Sequence, residues 1–110
     1  MKCLMSAILS LVMFSAAADQ WRVGKVKELG SGYDGASISF RLYDLSPDSP
    51  EIDYSKCTCN ASWNTLCLNP ARANFDKEYA MLLAAFSAGK NVQVIFNDNA
   101  CFINALIIPN

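Results

Sequence analysis

Histidine is absent from this chain of 110 residues. Its absence removes the base of Ser-His and Cys-His nucleophilic systems and every imidazole metal site. No CxxC pair occurs either. The tightest spacing is Cys57-Thr58-Cys59, which is not the usual spacing of a structural zinc site. Basic residues are scarce, with nine Lys and Arg against ten Asp and Glu. They form no run or stripe, which argues against nucleic acid and anionic membrane as partners. Long apolar runs are missing too. The run from Leu4 to Phe14 falls well short of the ~20 residues a membrane-spanning helix needs.

That short run has another reading. Met1-Lys2-Cys3 places one positive charge ahead of it, and Ser15-Ala16-Ala17-Ala18 supplies small residues after it. This is the layout of a secretory signal peptide over residues 1–18, cleaved after Ala18. Cleavage leaves a single domain, residues 19–110, with a net charge of about −2. The expected location is the periplasm or outside the cell. Cys3 leaves with the signal, and Cys57, Cys59, Cys67 and Cys101 remain. An even count in a short exported chain reads as two disulfides rather than buried free thiols, with three pairings open. One pairing joins Cys59 to Cys67 across a local turn and Cys57 to Cys101. The swap, with Cys59 or Cys67 joined to Cys101, competes with it.

Residues 21–29 read as a first strand, with Trp21 and Val23 on one side and Val26 on the other. Ala36 to Leu45 reads as a second strand, because Ile38, Phe40 and Leu42 alternate with polar neighbours. A Gly30–Gly35 hairpin connection joins the two. Ser46-Pro47-Asp48-Ser49-Pro50 reads as a mobile loop, since its prolines cannot sustain a central strand. Residues 57–68 are expected to form a third strand region with a turn at Asn60-Ala61-Ser62. That triplet also fits an N-glycosylation sequon, which matters only in a eukaryotic secretory pathway.

Asn69-Pro70 opens the helical stretch, with Asn74 or Asn69 as cap and Asp76 and Glu78 in the early turns. Phe75, Tyr79, Leu82, Leu83 and Phe86 form one stripe at helical spacing and read as the core face. Gly89 is expected to end the helix as a left-handed cap. Residues 91–96 and 100–108 read as the last two strands, joined by a tight Asn97-Asp98-Asn99 turn. The final strand is apolar on both sides and is expected to be covered by the chain's own core or a neighbouring subunit. The fold class is therefore mainly β with one helix (α+β), in the order β-β-β-α-β-β. That is the order of a five-stranded OB-fold barrel, with the helix stripe plugging one end.

The passage Tyr79-Ala80-Met81-Leu82-Leu83-Ala84-Ala85-Phe86-Ser87-Ala88-Gly89-Lys90-Asn91-Val92-Gln93-Val94 resembles the helix-to-strand passage of the B subunits of subtilase cytotoxin and pertussis-like AB5 toxins. The resemblance lies in the C-terminal half. It implies an exported, disulfide-bonded OB-fold that forms a homo-oligomeric ring and binds glycans. The residues with which that family contacts sialic acid have no matching identities in this chain.

No catalytic residue, cofactor site or metal site is assigned. Glu51 and Asp53 read as a solvated acidic loop, and Asn97-Asp98-Asn99 lacks the acidic spacing of a calcium loop. The candidate ligand-contacting residues are the aromatics Trp21, Tyr33, Tyr43, Tyr54 and Trp63, whose rings can stack on sugar faces. The competing reading, favoured for Trp21 and Trp63, is that they fill the core. The expected function is an exported non-enzymatic binding module with a glycan or protein partner. The alternative is a secreted or periplasmic inhibitor that docks through the Gly30–Gly35 or Ser46–Pro50 loop.

Overall fold

The computed structural model describes residues 19–31, 37–97 and 100–109. The signal segment, Tyr33, most of the Gly30–Gly35 connection and the Asp98-Asn99 turn residues lie outside them. Strand β1 (Gln20–Ser31) organises the sheet. Its first half pairs antiparallel with β4 (Asn91–Phe96), and its second half pairs with β2 (Ile38–Tyr43). The register shifts between Val26 and Glu28, so a bulge bends the strand from one partner to the other. β3 (Leu66–Leu68) pairs with β2, and β5 (Ile103–Ile107) pairs with β4. The result is one open, antiparallel, five-stranded sheet in the order β3-β2-β1-β4-β5. Among the described residues a single α-helix, α1 (Phe75–Ala88), runs between β3 and β4. The expectation of a mainly β chain with one helix holds.

The inner face of the sheet carries Phe40, Leu66, Leu68, Val92, Val94 and Phe96, all essentially inaccessible to water. On β1 the inward residues are Arg22, Gly24 and Val26, while Trp21 and Val23 point outward. Trp21 is 44% exposed, so it does not fill the core. Arg22 takes the inward place instead. Its guanidinium donates to the Trp21 carbonyl at 2.8 Å, to Gln20 Oε1 at 2.8 Å and to the Glu51 carbonyl at 3.4 Å, and lies over the Phe96 ring.

Helix α1 starts one turn later than Asn69-Pro70 suggests. Asn69 Oδ1 accepts from the Ala71 N–H at 2.9 Å and holds a preceding turn, while Asn74 occupies the N-cap without a side-chain hydrogen bond. The C-terminus follows the expectation: Gly89 has φ 65°, and its N–H returns to the Ala85 carbonyl. The buried face matches the expected stripe in part: Leu82 is buried and Phe75 and Tyr79 pack against the core. Glu78, Leu82 and Ala85 are buried, whereas Leu83 and Phe86 are 41% and 44% exposed. The cause is an ion pair. Arg72 Nε and Nη2 donate to the two Glu78 carboxylate oxygens at 2.7 and 2.8 Å, and Nη1 reaches the Ile103 carbonyl at 3.3 Å. A bidentate pair of this kind turns Glu78 toward the sheet, and Leu82 and Ala85 follow it at i+4 and i+7.

The third strand departs from expectation, and the last strand is covered by its own chain on one face only. The third strand is three residues long, because residues 54–56 form a 3₁₀ turn and the next segment is spent on cysteine crosslinks. β5 is not covered on both faces by its own chain. A register shift between Ile95 and Phe96 puts Ile103 and Leu106 inward and leaves Ile107 and Ile108 exposed.

The crosslinks are Cys57–Cys101 and Cys59–Cys67. The Cys59 N–H donates to the Ala100 carbonyl at 3.0 Å and the Cys67 N–H to the Cys101 carbonyl at 3.1 Å. An isolated parallel bridge joins Cys67 to Phe102. These contacts bring the β3 edge beside the approach to β5. Ala100 and Cys101 hold positive φ of 83° and 74° there, a strained conformation for residues with a Cβ.

Candidate functional site

The end of β2 makes the site. At Asp44 the backbone enters the left-handed region with φ 52°, which turns the chain sharply out of the strand. The chain then runs beside β1. The Ser46 N–H donates to the Val23 carbonyl at 2.8 Å, and the Val23 N–H donates to Ser49 Oγ at 2.9 Å. The Ser49 N–H closes a turn onto the Ser46 carbonyl at 2.8 Å. The segment expected to be mobile is therefore tied to the edge that β2 leaves open. Prolines donate nothing here, and the serines at 46 and 49 supply the groups that dock.

This approach needs Gly24. A Cβ there would lie 2.7 Å from Leu45 Cδ2 and 2.9 Å from the Tyr43 carbonyl oxygen. The space between β2, the docked segment and residues 51–54 is a cavity of about 490 Å³. That falls within the ~300–1,000 Å³ typical of small-ligand sites. Leu45, Ile52 and Tyr54 give it apolar wall, while Asp44, Ser46 and Glu51 supply polar groups. Tyr43 also lines it and is 45% exposed.

The five candidate aromatics divide three ways. Tyr43 and Trp21 present exposed rings on the outer side of the sheet. They are separated by about four strand residues, or ~13 Å along β1, so they do not form one platform. Tyr54 and Trp63 are engaged instead by Arg41, whose guanidinium carbon lies 5.6 Å from one ring centroid and 5.4 Å from the other. Arg41 Nε also donates to the Asn64 carbonyl at 2.9 Å, so this stack is structural. Trp63 is half-buried in it. Tyr33 lies outside the described residues.

Tyr54 fixes the cavity wall. Its hydroxyl accepts from the Leu42 N–H at 2.8 Å and donates to the Leu42 carbonyl at 3.4 Å. Burial raises the pKa of this hydroxyl above the usual tyrosine value. Asp53, just before it, accepts from the Ser55 N–H at 3.1 Å and the Ser55 hydroxyl at 2.5 Å. Those bonds hold the Asp53 carboxyl below the usual range and cap the 3₁₀ turn.

Asn60 is 8% exposed, and its Nδ2 donates to the buried Ser39 Oγ at 2.9 Å. A glycan on that nitrogen would break the contact. Among the described residues no group of three or more acidic or cysteine side chains could hold a metal ion, and no helix is long and apolar enough to cross a membrane.

The sequence reading missed the polar half of the cavity. Asp44 fell within the expected second strand, Ser46, Ser49 and Glu51 looked like loop composition, and only the three-residue spacing of the serines hinted at docking. No family model, curated protein or solved structure matches this chain.

Proposed function

We propose that the chain is an exported, non-enzymatic binding module with an OB-fold-like barrel that takes a glycan in the cavity beside β2. The observation that carries this reading is the cavity of about 490 Å³ with the exposed Tyr43 on its wall. A tyrosine ring beside hydroxyl and carboxylate groups is a fitting surface for a sugar. The barrel reading is supported by the strand order, by the helix between β3 and β4, and by the parallel bridge between Cys67 and Phe102. Export is supported by the two disulfides, which persist in oxidising compartments.

Assembly into a ring is part of the same proposal. Trp21, Ile95 and Ala105 stand in one row across the outer face of β1, β4 and β5, with Val23 and Ile107 in the next. Such a patch suits a second copy of the chain. Sedimentation combined with a glycan array tests the reading: a strict monomer that retains no glycan on the array would end it.

A second reading, a secreted or periplasmic inhibitor, draws on the docked segment itself. Pro47, Asp48 and Pro50 are exposed on a loop whose backbone is hydrogen-bonded in place, the form of a preorganised binding loop. Pull-down from a periplasmic or secreted extract separates the two. A stoichiometric protein partner lost on substituting Pro47 and Asp48 favours the inhibitor.

A further inference from the structure

We infer that the cavity beside β2 selects saccharides without acidic groups, neutral or amino-bearing sugars, and rejects sialylated ones. This rests on the glycan-binding reading and adds the ligand's charge class to it. The cavity and its tyrosine define the site, and the ionisable groups around them define the charge. The wall carries two carboxyl side chains, Asp44 and Glu51, and among the described residues no Lys or Arg lines it. Lys25 Nζ pairs with Asp44 Oδ2 at 3.2 Å, so this cation is engaged.

The Glu51 carboxylate forms no ion pair among the described residues. On Glu51, Arg22 reaches the backbone carbonyl and not the carboxylate, and Arg22 is not part of the cavity wall. Lys56 stands with Glu51 and Asp53 on a separate, smaller cavity of about 220 Å³.

The remaining polar groups suit sugar hydroxyls. Ser49 Oγ accepts from the Val23 N–H and Ser46 Oγ accepts from the Asp48 N–H. Each serine hydroxyl therefore keeps its own proton to donate. Carboxylates accept hydrogen bonds from sugar hydroxyls and attract an ammonium, but they repel a ligand carboxylate placed against them.

The test is an array carrying matched neutral, amino-bearing and sialylated glycans, probed with the purified protein and with Glu51→Gln and Tyr43→Ala. Both side chains sit on exposed residues, so the variants are expected to fold, which circular dichroism checks. The expected result is retention of neutral and amino-bearing glycans, loss of signal for Tyr43→Ala, and a preference over sialylated glycans that shrinks about tenfold for Glu51→Gln. Preferential retention of sialylated glycans, or a preference unmoved by Glu51→Gln, overturns the charge inference and leaves glycan binding standing. Retention insensitive to Tyr43→Ala moves the glycan away from this cavity and overturns the inference as well. No retention of any glycan overturns the underlying reading, and the inference with it.

Discussion

Gly24 and Tyr54 both pack against the end of β2 that borders the cavity. The Tyr43 carbonyl, 2.9 Å from any Cβ at position 24, belongs to a paired strand and cannot retreat. Gly24→Ala is therefore expected to destabilise the protein by about 1–3 kcal/mol, read as a lower urea midpoint; an unchanged midpoint would show that the chain crossing is soft. Tyr54 gives a pH-dependent counterpart. Its raised pKa comes first from burial, opposed by the Leu42 hydrogen bond and by the nearby Arg41 charge. The folded state thus keeps the neutral phenol where the unfolded chain ionises. Its contribution is intact below pH ~10 and is lost as pH rises through the folded value. Urea midpoints measured from pH 8 to 11 should fall at the alkaline end. Tyr54→Phe should flatten that fall while lowering the neutral-pH stability by about 1–2 kcal/mol, because the Leu42 N–H loses its acceptor. A parallel alkaline fall in both proteins would assign it to other groups.

At the scale of elements, helix α1 separates packing from presentation. Leu82 is fully buried, whereas Phe86, one turn further along the same expected stripe, is 44% exposed. Leu82→Ala should cost about 2–5 kcal/mol, and Phe86→Ala about 0.5 kcal/mol or less in a monomer. Denaturant titration of the two variants at low protein concentration checks the ordering, and the reverse order would put Phe86 rather than Leu82 in the core. The position and end of this helix were legible because local signals set them: the apolar period, and a glycine at 89 where φ is 65°. The buried face was legible only in part. It depends on Arg72, which lies before the helix and reaches both Glu78 and the Ile103 carbonyl of β5. The strands show the same division. Alternation located β2 and β4, but no local pattern foretold that Arg22 faces inward while Trp21 faces out. The cavity was the least legible feature, since it arises where Gly24 lets Leu45 cross β1.

Over the whole molecule, among the described residues, the two edges of the open sheet meet at the cysteine-rich segment. β3 has three residues and β5 has five, and a single parallel bridge links their surroundings. A domain this small has limited apolar area to bury, so crosslinks carry a large share of its stability. The two disulfides differ in the loop they close: 44 residues for Cys57–Cys101 and 8 for Cys59–Cys67. Loop-closure entropy gives about 4 kcal/mol for the first and about 2.5 kcal/mol for the second. The long one also ends at Cys101, which with Ala100 holds positive φ beside the contacts between the edges. The double variant Cys57→Ala/Cys101→Ala should therefore lose more stability than Cys59→Ala/Cys67→Ala. It alone should also lose amide protection in β5, because the strand's approach is no longer anchored to the segment before β3. Urea unfolding with native-state hydrogen exchange on both variants decides it. Equal losses, or β5 protection surviving removal of Cys57–Cys101, would mean that the β4 pairing holds the edge unaided.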